Sequence, residues 1–337
     1  MLYGSGALTL LPMPRPILLG ICGDSAAGKT TLTRGLVRIL GEAQVTHIDG
    51  DHYHRYSRGR RAELGMTPLH PDANHLDILE QHVVHLRAGE PILKPVYRHR
   101  DGTLAPAEYV APAQFAIVEG MLGFHTPAMR EAYDVRIFLD PPEDLRRRWK
   151  VQRDCSRRGY TTDEVLAELD RREADAETFI RPQRRYADIV VSFMPGDRGD
   201  PEHLDVKLAM RPGLAHPDLP AMAESDSGIR VTQRGPETHM WIPGMIDPAR
   251  SSAFEEAIWD RLHFASHLRT ERLGEFTVGT ELHRSEPLAV AQLLVLYQLV
   301  TARAAVALGA SGARADHVAA PEDLPSDQAA PSPLPAA

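Results

Sequence analysis

Apolar positions along the chain fall into short unbroken runs that alternate with stretches of helical spacing. Residues 17–22, ILLGIC, make a run of the length of a buried strand, and residues 30–40 carry Leu32, Leu36 and Leu40 at helical intervals. QVTHID predicts a second short strand, and NHLDILEQHVVHLRAG a helix stopped by Gly89. PVYRHRDGTLAPAEYV predicts a hairpin turning at Asp101-Gly102. QFAIVEG and YDVRIFLD are two further strands of the fully buried type. A basic helix runs from about Pro142 to Arg158, a second helix begins at Thr161 or Thr162, and ADIVVSF is one more strand. Strands alternating with helices predict an α/β fold, a parallel sheet with helices on both faces.

Past Pro195 the pattern changes. LDVKLAM, IRVTQR and HMWIPGMI are short strands with no helix between them, which predicts an antiparallel set. Two helical segments follow, at about 251–268 and 286–308. The organisation expected is a flexible extension over residues 1–14, a core over 15–195, a small α+β extension over 196–310 and a disordered tail over 311–337. That tail is rich in Ala, Pro and Ser, so it buries too little apolar surface to offset its ordering entropy.

Composition narrows the function. A length of 337 residues suits about two domains, and the net charge of −8 argues against a general nucleic-acid binder. No unbroken apolar run approaches the roughly 20 residues that span a bilayer, and residues 1–14 lack the basic start of a signal peptide. The expectation is a protein with no nucleic-acid or membrane partner. Only two cysteines occur, Cys22 and Cys155, too few for a disulfide framework and in keeping with a reducing cytoplasm.

The chemistry begins in GDSAAGKT, residues 23–30, which fits G-x-x-x-x-G-K-[ST] between an apolar strand and a helix. Gly23, Asp24, Ser25, Ala26, Ala27, Gly28, Lys29, Thr30 and Thr31 are read as the phosphate-binding loop of a P-loop NTPase. Glycines allow the tight turn that aims successive N–H groups inward, Lys29 reaches the β- and γ-phosphates, and the Thr30 hydroxyl serves Mg²⁺. ATP and Mg²⁺ are the expected cofactors, and no N-K-x-D motif for guanine is present. The acceptor side follows the second strand, where DGDHYHRYSR sets Asp49, Asp51, His52, His54, Arg55 and Arg58 within ten positions. A hydroxyl that takes a phosphoryl group needs a carboxylate for its proton, and a sugar phosphate needs Arg or His. A solvated polar loop and a His/Asp metal site are the competing readings of this cluster. Glu119 ends an apolar strand, where a carboxylate can assist Mg²⁺ or the acceptor. In the basic helix Lys150, Arg153, Asp154 and Arg158 share one face, as the lid of a phosphoryl-transfer site requires.

Taken in order, GDSAAGKTT, DGDHYHRYSR, HPDANHLD, KPVYRHRDGTLAP, IVEG, WKVQRDCSRRG, FIRPQRRYAD, MWIP and RSEPLAVAQLLVLYQLV resemble the phosphoribulokinases of the phosphoribulokinase/uridine kinase family. The resemblance implies a nucleoside/nucleotide-kinase-like P-loop sheet and an ATP-dependent transfer to the C1 hydroxyl of D-ribulose 5-phosphate, a Calvin-cycle reaction. It places the catalytic aspartate on Asp51, the strand-end glutamate on Glu119, and the active-site cations on Lys29, Lys150 and Arg153, with Asp154 beside them. His54, Arg58 and Arg158 fall at positions that hold the sugar phosphate. A homo-oligomer, dimer or larger, is also implied. Two departures stand out. Ala27 occupies the place of the redox-switch cysteine of plant-type enzymes, so no dithiol control is expected, and GMLGFHT after Glu119 replaces the usual segment. A uridine or related nucleoside kinase and a non-catalytic nucleotide sensor are the alternatives.

Overall fold

The structure, a computed structural model, describes residues 14–196, 203–214, 216–223, 228–262, 268–278 and 281–312. Strands β1 (Ile17–Gly23), β2 (Val45–Asp49), β5 (Phe115–Gly120), β6 (Val135–Leu139) and β7 (Ile189–Pro195) form its parallel part. Strands β8 (Leu204–Met210), β9 (Arg230–Arg234) and β10 (Glu237–Ile242) add on antiparallel, as the sequence predicts. The order across the eight-stranded sheet is β2-β5-β1-β6-β7-β8-β10-β9. The C-terminal strands thus continue the core sheet, since β8 pairs with β7 over Ile189 to Pro195. Strands β3 (Ile92–Arg98) and β4 (Thr103–Val110) form the expected hairpin apart from this sheet. A second hairpin, β11 (Glu275–Val278) with β12 (Glu281–Arg284), was not foreseen.

Nine helices are described: α1 (Lys29–Leu40), α2 (Arg58–Glu63), α3 (Leu76–Ala88), α4 (Pro127–Ala132), α5 (Glu143–Arg158), α6 (Thr162–Asp175), α7 (Leu219–Met222), α8 (Pro248–Trp259) and α9 (Glu286–Ala307). The predicted caps hold. Gly89 ends α3 at φ 81°, and Thr161 starts α6 with a reciprocal capping box to Glu164. The helix expected over 251–268 stops at Trp259, where the backbone tightens into i→i−3 bonds, Arg261 N–H to Ile258 O and Leu262 N–H to Trp259 O. Residues 1–13 and 313–337, the bulk of the expected extension and tail, lie outside the described residues.

The period-2 alternation of the strands sorts their side chains into two layers. Ile17, Leu19 and Ile21 of β1 join Phe115, Ile117, Val135 and Ile137 under α1 and α9, whereas Leu18, Cys22, Ala116 and Val118 face α3 and α4. Gly20 lets the sheet approach its aromatic cover: a Cβ there would lie 2.7 Å from Phe124 and 3.0 Å from Tyr133. Among the described helices α9 is long and apolar enough to cross a membrane by composition, but 67% of its apolar window is buried within the fold. Its apolarity is that of a core helix. The strand order places β1 between β5 and β6, so the crossovers part at the carboxyl ends of β1, β5 and β2. That is where an open α/β sheet holds its ligands.

Candidate active site

The loop after β1 is wound tightly. Gly23 sits at φ 152°, and a Cβ there would meet the Leu139 carbonyl at 2.7 Å. Ala26 adopts the left-handed region at φ 65°, which an L side chain rarely takes, and Gly28 opens α1 at φ 97°. No side chain caps α1, so the N–H groups of its first turn stay available to an anion, with the helix dipole behind them. Lys29 donates from Nζ to Gly23 O and Asp24 O, both at 2.9 Å, which holds the ammonium over the loop. The backbone N–H of Ser25 bonds to the Asp24 carboxylate at 2.6 Å. Ala27 is fully buried, while Thr31 is exposed at the rim.

Arg146 supports this loop, and the sequence reading passed it over. Its guanidinium donates to Ser25 O at 3.0 Å, lies 3.6 Å from the Asp24 carboxylate, and forks onto Glu143 at 2.8 and 2.6 Å. The signal was present, since Arg146 stands four residues before Lys150 on the same helical face.

The parallel register of β2 and β5 sets Asp49 beside Glu119. Glu119 is buried, accepting from the Thr30 hydroxyl at 3.0 Å on Oε2 and meeting His47 Nε2 at 2.9 Å on Oε1. Burial, then the charges of Asp51 and Glu119, push the Asp49 carboxyl up to about 7. A hydroxyl and a carboxylate in contact at the loop's edge are hard oxygen donors of the type Mg²⁺ prefers. That pair fits Mg²⁺, which takes one or two protein oxygens and keeps water or phosphate oxygens for the rest. Thr30 and Glu119 are the residues that would hold it.

On the acceptor side Asp51 sits in a short 3₁₀ turn, Gly50–Tyr53, and its N–H bonds to the Asp49 carboxylate at 2.9 Å. Burial works to raise the Asp51 carboxyl, but nearby positive groups outweigh it and hold the group below the usual range. Of those neighbours His54 and His99 are themselves pushed down by burial, so Lys29 and Arg153 are the cations that act at neutral pH. His54 is buried and hydrogen-bonded to Asn74 at 2.8 Å. Arg58 is exposed and tied to the β3–β4 turn, its backbone N–H on Gly102 O at 2.8 Å and its guanidinium on His99 O. His52 accepts from the buried ammonium of Lys94 at 2.7 Å.

The basic helix gathers around Asp154. Its carboxylate lies 2.7 Å from Lys150 Nζ, 2.9 Å from Arg153 Nε and 3.4 Å from Arg158 Nη1. Burial lowers Lys150 to about 8, with Arg153 and Arg172 adding to the fall and Asp154 opposing it. The charge of Asp51 reaches Arg158 as well. Lys29, Asp51, Arg153 and Arg158 therefore share one electrostatic neighbourhood. Arg58 joins them through His99, whose ring carries the influence of Arg158, Arg58 and Arg153.

A parallel sheet with a wound glycine loop, a hydroxyl–carboxylate pair and a cationic helix defines a P-loop kinase fold. Residues 18–198 match the profile described as "Phosphoribulokinase / Uridine kinase family", and the chain belongs to that family. It is 35% identical over 205 residues to a phosphoribulokinase of Synechocystis sp., covering 60% of this chain and 62% of that one. It is 34% identical over 221 residues to the chloroplastic phosphoribulokinase of Triticum aestivum, covering 59% and 55%. A uridine kinase of Chloroflexus aggregans is 31% identical over 206 residues, 58% of this chain and 93% of that one. The chain thus spans 55% to 62% of the length of these two phosphoribulokinases. The phosphoribulokinase structure from Rhodobacter spheroides superposes with a TM-score of 0.54 at 21% identity, over 74% of this chain and 96% of that one, and shows the shared fold.

Proposed function

We propose that this protein transfers the γ-phosphoryl group of ATP to the C1 hydroxyl of D-ribulose 5-phosphate. The observation that carries the reading is the setting of Asp51, a carboxylate on the turn after β2 that is fixed through its N–H to Asp49 and held below its usual range within reach of the charges of Lys29 and Arg153. A binding module has no need of a carboxylate at that junction, whereas an acceptor hydroxyl does. Asp51 takes the hydroxyl proton and aims the oxygen in line. Lys29, Lys150 and Arg153 balance the charge on the phosphoryl oxygens as they move. Arg58 and Arg158 hold the substrate's own phosphate from two sides of the cleft. Mg²⁺, when bound by Thr30 and Glu119, supplies further neutralisation of the triphosphate.

The uridine kinase reading has one specific support, since the match spans nearly all of a uridine kinase. The cationic groups Arg58 and Arg158 argue against it, because a nucleoside carries no phosphate. A coupled ADP-release assay with ribulose 5-phosphate, with uridine and with no acceptor separates the readings. Release that depends on ribulose 5-phosphate supports the proposal, and release that depends on uridine alone overturns it. Nucleotide binding without acceptor-dependent release points to a sensor.

A further inference from the structure

One pair of side chains decides which face the buried histidine on the turn after Asp51 shows. His54 and Asn74 are 4% and 6% exposed and form an antiparallel β-bridge. Backbone bonds frame it on both sides, Arg55 N–H to Ala73 O and His75 N–H to Tyr53 O, each at 2.8 Å. Asn74 Nδ2 donates to Pro68 O at 3.1 Å and His70 O at 2.9 Å. Both partners are carbonyls, so the amide has one sensible orientation, with Oδ1 toward the imidazole. An amide oxygen carries no proton. The ring nitrogen 2.8 Å from it, Nδ1, must therefore be the donor. The ring also stands edge-on to Tyr97 at 4.8 Å between centroids and 87° between planes, which fixes its tilt.

Burial pushes His54 down to about 4, with Asp51 opposing from its own turn and Arg61 of α2 and His99 of the hairpin turn reinforcing it. The ring is neutral at pH 7. A neutral imidazole protonated on Nδ1 presents a lone pair at Nε2, and Nε2 takes no partner among the described residues.

We propose that Asn74 is a positioning residue that locks His54 in the Nδ1–H tautomer, so that Nε2 meets the acceptor substrate as a neutral hydrogen-bond acceptor for a hydroxyl. The substrate's part in this rests on the phosphotransfer reading above. It gives His54 a different task from the phosphate-holding one implied by resemblance. A phosphate dianion offers only acceptors and would face a lone pair, whereas a sugar offers the O–H donors that Nε2 needs.

Nitrogen-15 NMR of the histidine-labelled full chain tests the tautomer without any reaction, with His54→Gln identifying the signal. At pH 7 the wild type should show a neutral ring protonated on Nδ1. An Nε2–H ring or an imidazolium overturns the proposal. Asn74→Asp places a carboxylate against Nδ1 and should convert the ring to imidazolium near neutrality. The KM for ribulose 5-phosphate should then rise about tenfold, the effect of losing one well-placed hydrogen bond, with the KM for ATP within about twofold. Equal losses in both KM values would show a merely structural role and overturn it. Should Asn74→Asp not fold, the wild-type spectrum alone decides the tautomer. Should the wild type turn over uridine and not ribulose 5-phosphate, the sugar-phosphate reading falls separately. The same KM comparison is then made on uridine, whose ribose hydroxyls would donate to Nε2.

Discussion

The cluster around Asp154 makes the sharpest prediction. In Asp154→Asn the side chain keeps its shape but Lys150 loses a charge only 2.7 Å away. At an effective dielectric near 20, two unit charges at that distance interact by about 6 kcal/mol, an upper bound because the amide oxygen still accepts a hydrogen bond. Even a quarter of that energy lowers the amine by about one pH unit. Lys150 already stands at about 8 because burial penalises its charge. An amine loses its proton as pH rises, so the cation, and the rate that depends on it, falls on the alkaline side. With the group at about 8, the charged fraction drops about twofold between pH 6.5 and 8. With the group at about 7, it drops about eightfold. The ratio of kcat at those two pH values in the ADP-release assay should therefore rise about fourfold in Asp154→Asn. The ratio cancels any uniform loss of activity from a disturbed lid. A ratio that stays near the wild-type value would refute the claim that Asp154 keeps Lys150 charged.

Four further outcomes are expected. Asp51→Asn should lower kcat by about 10²- to 10⁴-fold with ATP affinity retained by calorimetry, the range for losing a positioned base. Arg58→Ala should raise KM for the sugar phosphate about tenfold or more and leave KM for ATP nearly unchanged, since Arg58 approaches the site from the hairpin side. Ala26→Gly should stabilise the fold by about 0.5–1 kcal/mol in urea unfolding, because an L residue is strained at φ 65°. Activity should be equal with and without dithiothreitol, since Cys22 is buried with its thiol pushed up to about 11 by burial and Ala27 leaves it no partner in the loop.

Local signals were legible and non-local ones were not. The phosphate loop, its flanking strand and helix, the Gly89 stop and the Thr161 cap are all set within a few residues, so spacing alone finds them. Glu119 was legible as a strand end, but its neighbours Asp49 and His47 come from a parallel pairing of strands some seventy residues apart. No periodicity reports that register. His99 and Lys94 enter the site because the β3–β4 hairpin folds over the turn that carries Asp51 and His52. The β11–β12 hairpin escaped for a different reason: its four-residue strands are exposed or half-exposed and show no clean alternation. Ala26 shows the limit of residue preference, since a tight loop imposed a left-handed backbone on a residue that does not favour it.

Two neighbouring carboxyls, Asp49 and Asp51, are driven in opposite directions, and the direction of each bears on the proposed chemistry. Asp49 rises to about 7 because burial and two carboxylates surround it, whereas Asp51 is held below its usual range, against its burial, by the groups around it, His54 first and then Lys29, His99 and Arg153. If the reaction needed a strong base, the higher of the two would be the better candidate. Phosphoryl transfer passes through a loose transition state in which the acceptor oxygen is barely bonded, so little proton affinity is demanded until late. What the step needs early is an ionised acceptor group that orients the hydroxyl and stays ionised across the physiological range. Asp51 meets that need, and Asp49 serves it by accepting the Asp51 N–H at 2.9 Å, which fixes the turn. The prediction that separates the two is the acid limb of kcat/KM. It should lie at or below the ordinary carboxylate range if Asp51 is the group engaged, whereas a limb near pH 7 that vanished in Asp49→Asn would transfer the role to Asp49.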